Sequence, residues 1–555
     1  MNRLLRLTSS FRYGSERCEL DMEKIAADSS CAAVTTRDGL IEAKAELKTY
    51  DGDAYEWVVR YTNIGSQNSC QLTEINGLDL FWPCCTDESL IFESLRGDSC
   101  GGDSFLPIRE ELSGMQPFHL EPTGGRPSNT TAFPYFDLHN ANRRLVCAIG
   151  WSGQWRLDIS RESDGFRIRA GLQDADFYLK PGESARSPRI LLMIREGNGD
   201  IGDLRRAFRQ LELLHYSPRQ SFGPDFRVPI ACQNFDRYFW NSVPLTGGQQ
   251  WATEQIQLEN IAFAAKCGFD HYWLDACWFK NGFVKGGVGN YIYDAGFPNG
   301  LRPLADQIHA SGMRFIVWFE PERVQPGTEV DTEHPEWLLI PDDPAKERRL
   351  FNLSIPEAAA WLFDKIAQVI EESSIDFYRQ DFNIDPLPFW RRADEPGRRG
   401  FTENQYVEAL YTLWDKLHAR FPRMPIDNCS SGGRRIDLET CIRSVPLWRS
   451  DTGCSASSPE SPSCIWNQNQ TLGLSRYLAY QSIASWLPDT NEFRSAMTMG
   501  IACDFDAFNP DFNFAQARAS IDEIRSLQKD WEGDFYGLTE PSLDPAVWTA
   551  YQLHN

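Results

Sequence analysis

The sequence of 555 residues predicts a multidomain α/β protein, with an N-terminal β-sandwich followed by a (β/α)8 barrel and a short, incomplete β segment at the end. Three observations predict it. Short β-favourable runs alternate with Gly/Pro/Asn-rich turns as far as about residue 220. Beyond that point short apolar runs alternate with amphipathic helical stretches. Nearly every one of these later runs ends in polar or charged residues, as a barrel with its site at the C-terminal ends of its strands requires.

The sandwich, residues 1–221, is read from runs such as YEWVVRYTN at 55–63, RRLVCAIGW at 143–151 and SPRILLMIR at 187–195. A helical stretch, GDLRRAFRQLELLHY at 202–216, leads into the barrel, residues 222–531. There VPIACQNF, HYWLDACWF, MRFIVWFEPE, IDFYRQDFN, MPIDNCSSGG, VPLWRSDTG and TMGIACDF read as strands. Between them TEQIQLENIAFAAKCG, LRPLADQIHASG, PEAAAWLFDKIAQVIEES, NQYVEALYTLWDKLHARF and LGLSRYLAYQSIASWL read as helices. A doubly wound sheet is disfavoured because no G-x-G-x-x-G follows the first strand and the polar clusters are not confined to one switch point. Residues 532–555 turn β-like again in PAVWTAYQLHN, as the start of a C-terminal sandwich would.

Composition narrows the function. Lys and Arg number 55 against 78 Asp and Glu, a net charge of −23, which argues against a nucleic-acid partner because phosphate neutralisation carries that affinity. No stretch approaches about 18 uninterrupted apolar residues, so no membrane partner is expected. The N-terminus lacks the apolar core of a signal peptide, and the 15 Cys form no even framework in a short chain. Reduced thiols and a cytoplasmic location are the expectation. The 18 Trp suit cores, and also the apolar faces of sugar rings.

The strand ends supply the chemistry: Asp275 in WLDACW, Glu320 and Glu322 in WFEPE, Arg379 and Asp381 in YRQDFN, Cys429 in NCSSGG, and Asp451 in WRSDT. Converging carboxylates suit glycoside hydrolysis, where one attacks or acts as base and another donates a proton. They also suit a divalent cation. With eight His and none in a strand-end motif, a zinc site is not expected. G-x-S-x-G is absent, and no His pairs with the strand-end cysteines, so serine and cysteine nucleophiles are disfavoured.

These motifs resemble the family 36 glycoside hydrolases, α-galactosidases whose barrel follows a large N-terminal β-supersandwich. The resemblance rests on FPNGLRPLADQIHASGMRFIVWFEPERV at 297–324, YRQDFN at 378–383, NCSSGGRRIDLET at 428–440 and LWRSDT at 447–452, in that order, with GGRPSN and GWSGQW in the sandwich. It implies a retaining, exo-acting α-glycosidase with no cofactor and no metal, acting on an oligosaccharide or glycoconjugate. Asp381 would be the nucleophile and Asp451 the acid/base, with carboxyl groups about 5 to 5.5 Å apart. Asp275 and Asn383 would bind sugar hydroxyls, Cys429, Ser430, Ser431 and Gly432 would lie under the ring, and Trp278 would either supply an aromatic wall or pack in the core. Arg348 and Arg349 both stand near the place of a sugar-binding Arg from the loop after the third strand. Relatives occur as monomers and as tetramers, which leaves a homo-oligomer open.

Two departures bear on the sugar. The family's second Asp of a pair is Ala276, and its Lys before the nucleophile is Arg379, with Gln380 in place of the usual Trp. Losing a buried acceptor changes discrimination for the hydroxyl it reads, and a guanidinium fork suits carboxylate or sulfate. The expectation is a galactose-configured sugar altered at C6 or nearby: acidic, sulfated, or a β-L-arabinopyranoside. Three competing readings are a transglycosylase of the raffinose-synthase kind, a non-catalytic carbohydrate-binding protein, and a metal-dependent barrel isomerase or lyase. Acceptor-dependent product, indifference to loss of Asp381, and EDTA sensitivity respectively would mark them.

Overall fold

The computed structural model describes residues 5–28, 31–114, 116–224, 226–233, 252–341, 348–454, 456–507 and 509–555. Two antiparallel sheets form the N-terminal part. One runs in the order Glu16–Asp21, Arg6–Tyr13, Leu72–Pro83, Gly165–Leu172, Trp155–Glu162 and Phe118–Leu120. The other runs Cys31–Thr35, Ile41–Tyr50, Ala54–Asn63, Arg189–Glu196, Arg143–Gly150, Tyr135–His139, Leu90–Leu95 and Pro107–Leu112. Period-two patterning makes this a sandwich: Ile41, Ala43, Ala45 and Leu47 are buried while Lys44, Glu46 and Lys48 on the other face are exposed. A helix, Ile201–His215, capped by the Asp200 side chain on the Gly202 amide, leads toward the barrel.

The barrel strands are Ile230–Gln233, His271–Leu274, Arg314–Phe319, Phe377–Gln380, Ile426–Asn428, Leu447–Trp448, a pair of short segments Gln481–Ser482 and Ala484–Ser485, and Ile501–Cys503. Each pairs in parallel with its neighbours. The two segments on either side of Ile483 close the ring. Gln481–Ser482 bonds to the sixth strand and Ala484–Ser485 to the eighth, so together they are one seventh strand. The (β/α)8 barrel is therefore complete among the described residues.

This corrects one sequence expectation. LGLSRYLAYQSIASWL, read as a helix, contains the seventh strand; the preceding helix is Ser463–Leu474 and ends where that reading began. The strand is buried on both faces, so it lacks period-two alternation, and a short apolar run of this kind cannot be told from helix by periodicity alone.

Sandwich and barrel are stitched together. Arg398–Arg399, which follows the fourth barrel strand, pairs antiparallel with Asp176–Phe177, itself paired to Leu72–Pro83. Arg398 is buried, ion-paired to Glu183 at 2.7 Å and stacked 3.8 Å above the Phe401 ring. At the C-terminus Asp534–Gly537 and Tyr551–His554 form a two-stranded antiparallel pair. No helix among the described residues is long and apolar enough to cross a membrane.

Candidate active site

A cavity of about 460 Å³ opens at the C-terminal ends of the barrel strands. Alternation along the fourth strand decides which side chains enter it. Arg379 and Asp381 face inward and line the cavity. Gln380 faces outward and is fully engaged by Tyr378 at 2.8 Å, Trp414 at 2.6 Å and Glu322 at 2.7 Å.

Asp381 is held by four donors. Its Oδ1 accepts from the Phe382 amide at 2.7 Å and the Ser431 amide at 3.0 Å, and its Oδ2 from Asn383 at 2.6 Å and the Trp318 indole at 3.3 Å. Burial works against ionisation. The Ser431 amide, the Arg379 cation, and the Cys429 and Asn383 donors outweigh it and hold the carboxyl below the usual range.

Arg379 is fixed as well. It donates from Nη1 to Asp427 Oδ1 at 2.7 Å and lies between two indoles, 3.8 Å from the Trp273 ring centre and 4.7 Å from that of Trp448. Desolvated stacking of this kind is worth about 2 kcal/mol. Although burial opposes it, Asp427 and the other nearby carboxylates keep the guanidinium firmly charged.

Asp451 begins a 3-10 turn after the sixth strand, which Ser450 caps through its side chain. Its Oδ1 accepts from the Trp448 indole at 2.9 Å. Burial, and then the charge of Asp381, push its carboxyl up to about 7, against the pull of the Trp448 bond. Asp275 also lines the cavity, and burial pushes it up to about 6. Asp381 and Asp451, in one cavity, thus favour opposite protonation states, the arrangement that nucleophile and acid roles require.

Of the other sequence-nominated residues, Asn383, Cys429 and Ser431 line the cavity. Gly432 lies directly beneath it at φ +87°, where a Cβ would collide with Asp98 Oδ2 and stand 2.8 Å from the Asp451 amide nitrogen. Gly432→Ala is accordingly expected to cost about 2 kcal/mol or more, read as a drop in thermal midpoint accompanied by loss of activity. The structure places the remaining nominations outside the cavity lining. Trp278 packs in the core with its indole on the Trp318 carbonyl at 2.8 Å, so it forms no cavity wall. Gln380 faces away, as above. Ser430 turns its hydroxyl onto the Phe382 carbonyl at 3.1 Å. Arg349 is ion-paired to Asp331 at 2.9 Å, outside the cavity. Arg348 is exposed and donates to the Asn383 carbonyl at 3.4 Å. The strand-end carboxylates Glu320 and Glu322 are structural: Glu320 pairs with Arg323 at 2.6 Å, and Glu322 with Arg435 at 2.6 Å and Tyr406 at 2.8 Å.

The structure adds residues that sequence reading missed. Trp273, Trp318 and Trp448 line the cavity, as do Phe283, Arg434 and Cys454. All three indoles stand in motifs already singled out for their carboxylates. Cys100 arrives from the sandwich, donating its thiol to the Ser431 carbonyl at 3.2 Å.

Comparison with known proteins agrees with this geometry. Residues 249–457 match the family model described as Melibiase. The chain is 25% identical over 314 residues to the α-galactosidase Mel36A of Lactobacillus acidophilus, covering 55% of this chain and 41% of that protein. With α-galactosidase C of Emericella nidulans it shares 26% identity over 455 residues, 77% of this chain and 57% of the relative. The chain thus spans about half the length of these curated relatives. Among solved structures, the α-galactosidase of Lactobacillus brevis superposes with a TM-score of 0.80 at 17% identity, covering 100% of this chain and 74% of that one. A Geobacillus stearothermophilus AgaA variant in complex with raffinose gives 0.77 at 19% identity, covering 97% and 75%.

Proposed function

Because residues 249–457 match the melibiase family model, we propose that the chain is a retaining α-galactosidase that removes terminal α-D-galactosyl residues from oligosaccharides such as those bound to its structural neighbours. One observation carries the reading: in a single cavity Asp381 is held ionised by four donors while Asp451 is pushed up to about 7. In the first step Asp381 attacks the anomeric carbon as Asp451 gives its proton to the departing glycosidic oxygen. The aglycone leaves as an alcohol, and a β-linked glycosyl-enzyme remains. In the second step Asp451, now a carboxylate, takes a proton from water; the oxygen attacks the anomeric carbon and Asp381 is released. Arg379 keeps Asp381 ionised and, with Asp275, faces the sugar.

The case for an acidic or sulfated sugar weakens, because Asp427 already pairs with Arg379 through Nη1 and balances its charge within the protein. A neutral galactoside fits better. Ala276 leaves an apolar wall beside Asp275, which favours tolerance of β-L-arabinopyranosides. Ala276→Asp is therefore expected to raise the kcat/KM ratio of galactoside over arabinopyranoside about tenfold, since a restored acceptor pairs with a hydroxyl only one substrate carries.

The test is initial hydrolysis of p-nitrophenyl α-galactoside, β-L-arabinopyranoside, α-N-acetylgalactosaminide and α-glucoside. The first is expected to be fastest, and no turnover of any of them by the folded protein would sink the reading. The pH dependence follows from the two carboxyls. Asp381 must be ionised, so kcat/KM rises as pH climbs through its pKa, which its donors and Arg379 hold below the usual carboxylate range. Asp451 must be protonated, so kcat/KM falls as pH passes about 7. A profile still rising at pH 8 would exclude Asp451 as the acid.

A further inference from the structure

We propose that Asp98, carried on the sandwich loop between Leu90–Leu95 and Pro107–Leu112, is a positioning residue for both members of the carboxylate pair, so that the sandwich is a working part of the active site. The inference rests on the acid and nucleophile roles proposed for Asp451 and Asp381.

Asp98 is fully buried, and its carboxylate ties together segments that are far apart in the chain. Its Oδ1 accepts from Ser450 Oγ at 2.7 Å, on the residue directly before Asp451. Its Oδ2 accepts from the Gly433 amide at 2.8 Å, two residues after the Ser431 amide that holds Asp381. The same carboxylate is braced within its own loop by Ser104 Oγ at 2.8 Å and the Cys100 amide at 3.0 Å. The Asp98 amide donates to the Ser128 carbonyl at 2.8 Å, and its carbonyl accepts from Arg434 Nε at 3.2 Å. One side chain therefore fixes the turn that presents the acid and the loop that presents the nucleophile's amide donor. A movement of the sandwich loop displaces both together.

The contact is also electrostatic. Asp451 faces Asp381 and Arg379 from the fourth strand, the Trp448 indole from its own strand, Asp98 from the sandwich, and the thiols of Cys100 and Cys454, both of which burial keeps protonated. Asp98 is one of the negative groups that make the proton on Asp451 harder to lose. It also sets a steric limit: the glycine at 432 is the only residue type whose backbone passes between Asp98 and the Asp451 amide without a collision.

Two variants separate tether from charge. Asp98→Asn keeps the shape, removes the negative charge and turns a donor toward the Gly433 amide. It is expected to lower kcat about tenfold, part of the roughly 100- to 10,000-fold that a positioned acid contributes. It also moves the alkaline limb of the kcat/KM profile to lower pH, because Asp451 then loses its proton more readily. Ser450→Ala leaves the charge and removes the tether, so kcat falls while the alkaline limb stays in place. Both are measured on the full chain with p-nitrophenyl α-galactoside, after circular dichroism and thermal melting establish that each is folded. A folded Asp98→Asn variant with wild-type kcat and an unmoved limb overturns the proposal. If that variant does not fold, wild-type kcat in Ser450→Ala overturns it instead. A wild-type protein inactive on every α-galactoside overturns the hydrolase reading itself, a result distinct from either.

Discussion

Asp381→Gly is expected to abolish hydrolysis of an activated α-galactoside, with a loss on the order of 10⁴-fold or more in kcat, and millimolar azide to restore turnover as β-galactosyl azide. The argument is geometric. Asp381 is pinned through both oxygens by the Ser431 and Phe382 amides on one side and by Asn383 and Trp318 on the other, so its direction of attack is fixed before substrate arrives. Removing the carboxymethyl group leaves a space lined by those same donors, and a small anion fits it. Azide then approaches the face the carboxylate used, and the product has inverted configuration because no second displacement follows. Product of α configuration, or no rescue with a 2,4-dinitrophenyl leaving group, would remove Asp381 from the nucleophile's role.

The second large effect depends on the leaving group. Asp451→Ala is expected to lower kcat/KM about 10³-fold or more on raffinose, whose leaving oxygen needs a proton, and about tenfold or less on 2,4-dinitrophenyl α-galactoside, whose phenolate departs without one. The alkaline limb near pH 7 disappears in the variant, since the group that titrates there is gone. Equal losses on both substrates would mean that Asp451 only shapes the pocket. The contrast follows from leaving-group basicity: the alkoxide leaving from raffinose needs the proton that Asp451, held by the Trp448 indole, is placed to give.

Much of this was legible in the letters, and the exceptions have physical causes. The strand-end carboxylates were visible because a parallel barrel collects its polar residues at one end, and Asp275, Asp381 and Asp451 do meet there. Gln380 was nominated against the alternation of its own strand; with Arg379 and Asp381 pointing inward, the residue between them had to point out. For Trp278 the letters leave wall and core open, and the acceptor its indole finds on the Trp318 carbonyl decides for the core. The seventh strand was hidden because burial on both faces erases the pattern that marks an edge or a half-exposed strand. Asp98 could not be found at all: GDSCGGDS at 97–104 reads as a turn-rich loop, and its contact with Gly433 spans 335 positions of sequence.

The short ladder between Arg398–Arg399 and Asp176–Phe177 bears on how such a protein can evolve. A module that is exchanged between genes needs a seam with few bonds across it. Here a piece of the catalytic half completes a sheet of the other half, and Arg398 is buried in the join. Excision at the seam would strand a charged side chain in one fragment and leave unpaired sheet edge in the other. The two halves are therefore expected to be far less stable apart than joined, so that neither serves as a free-standing cassette.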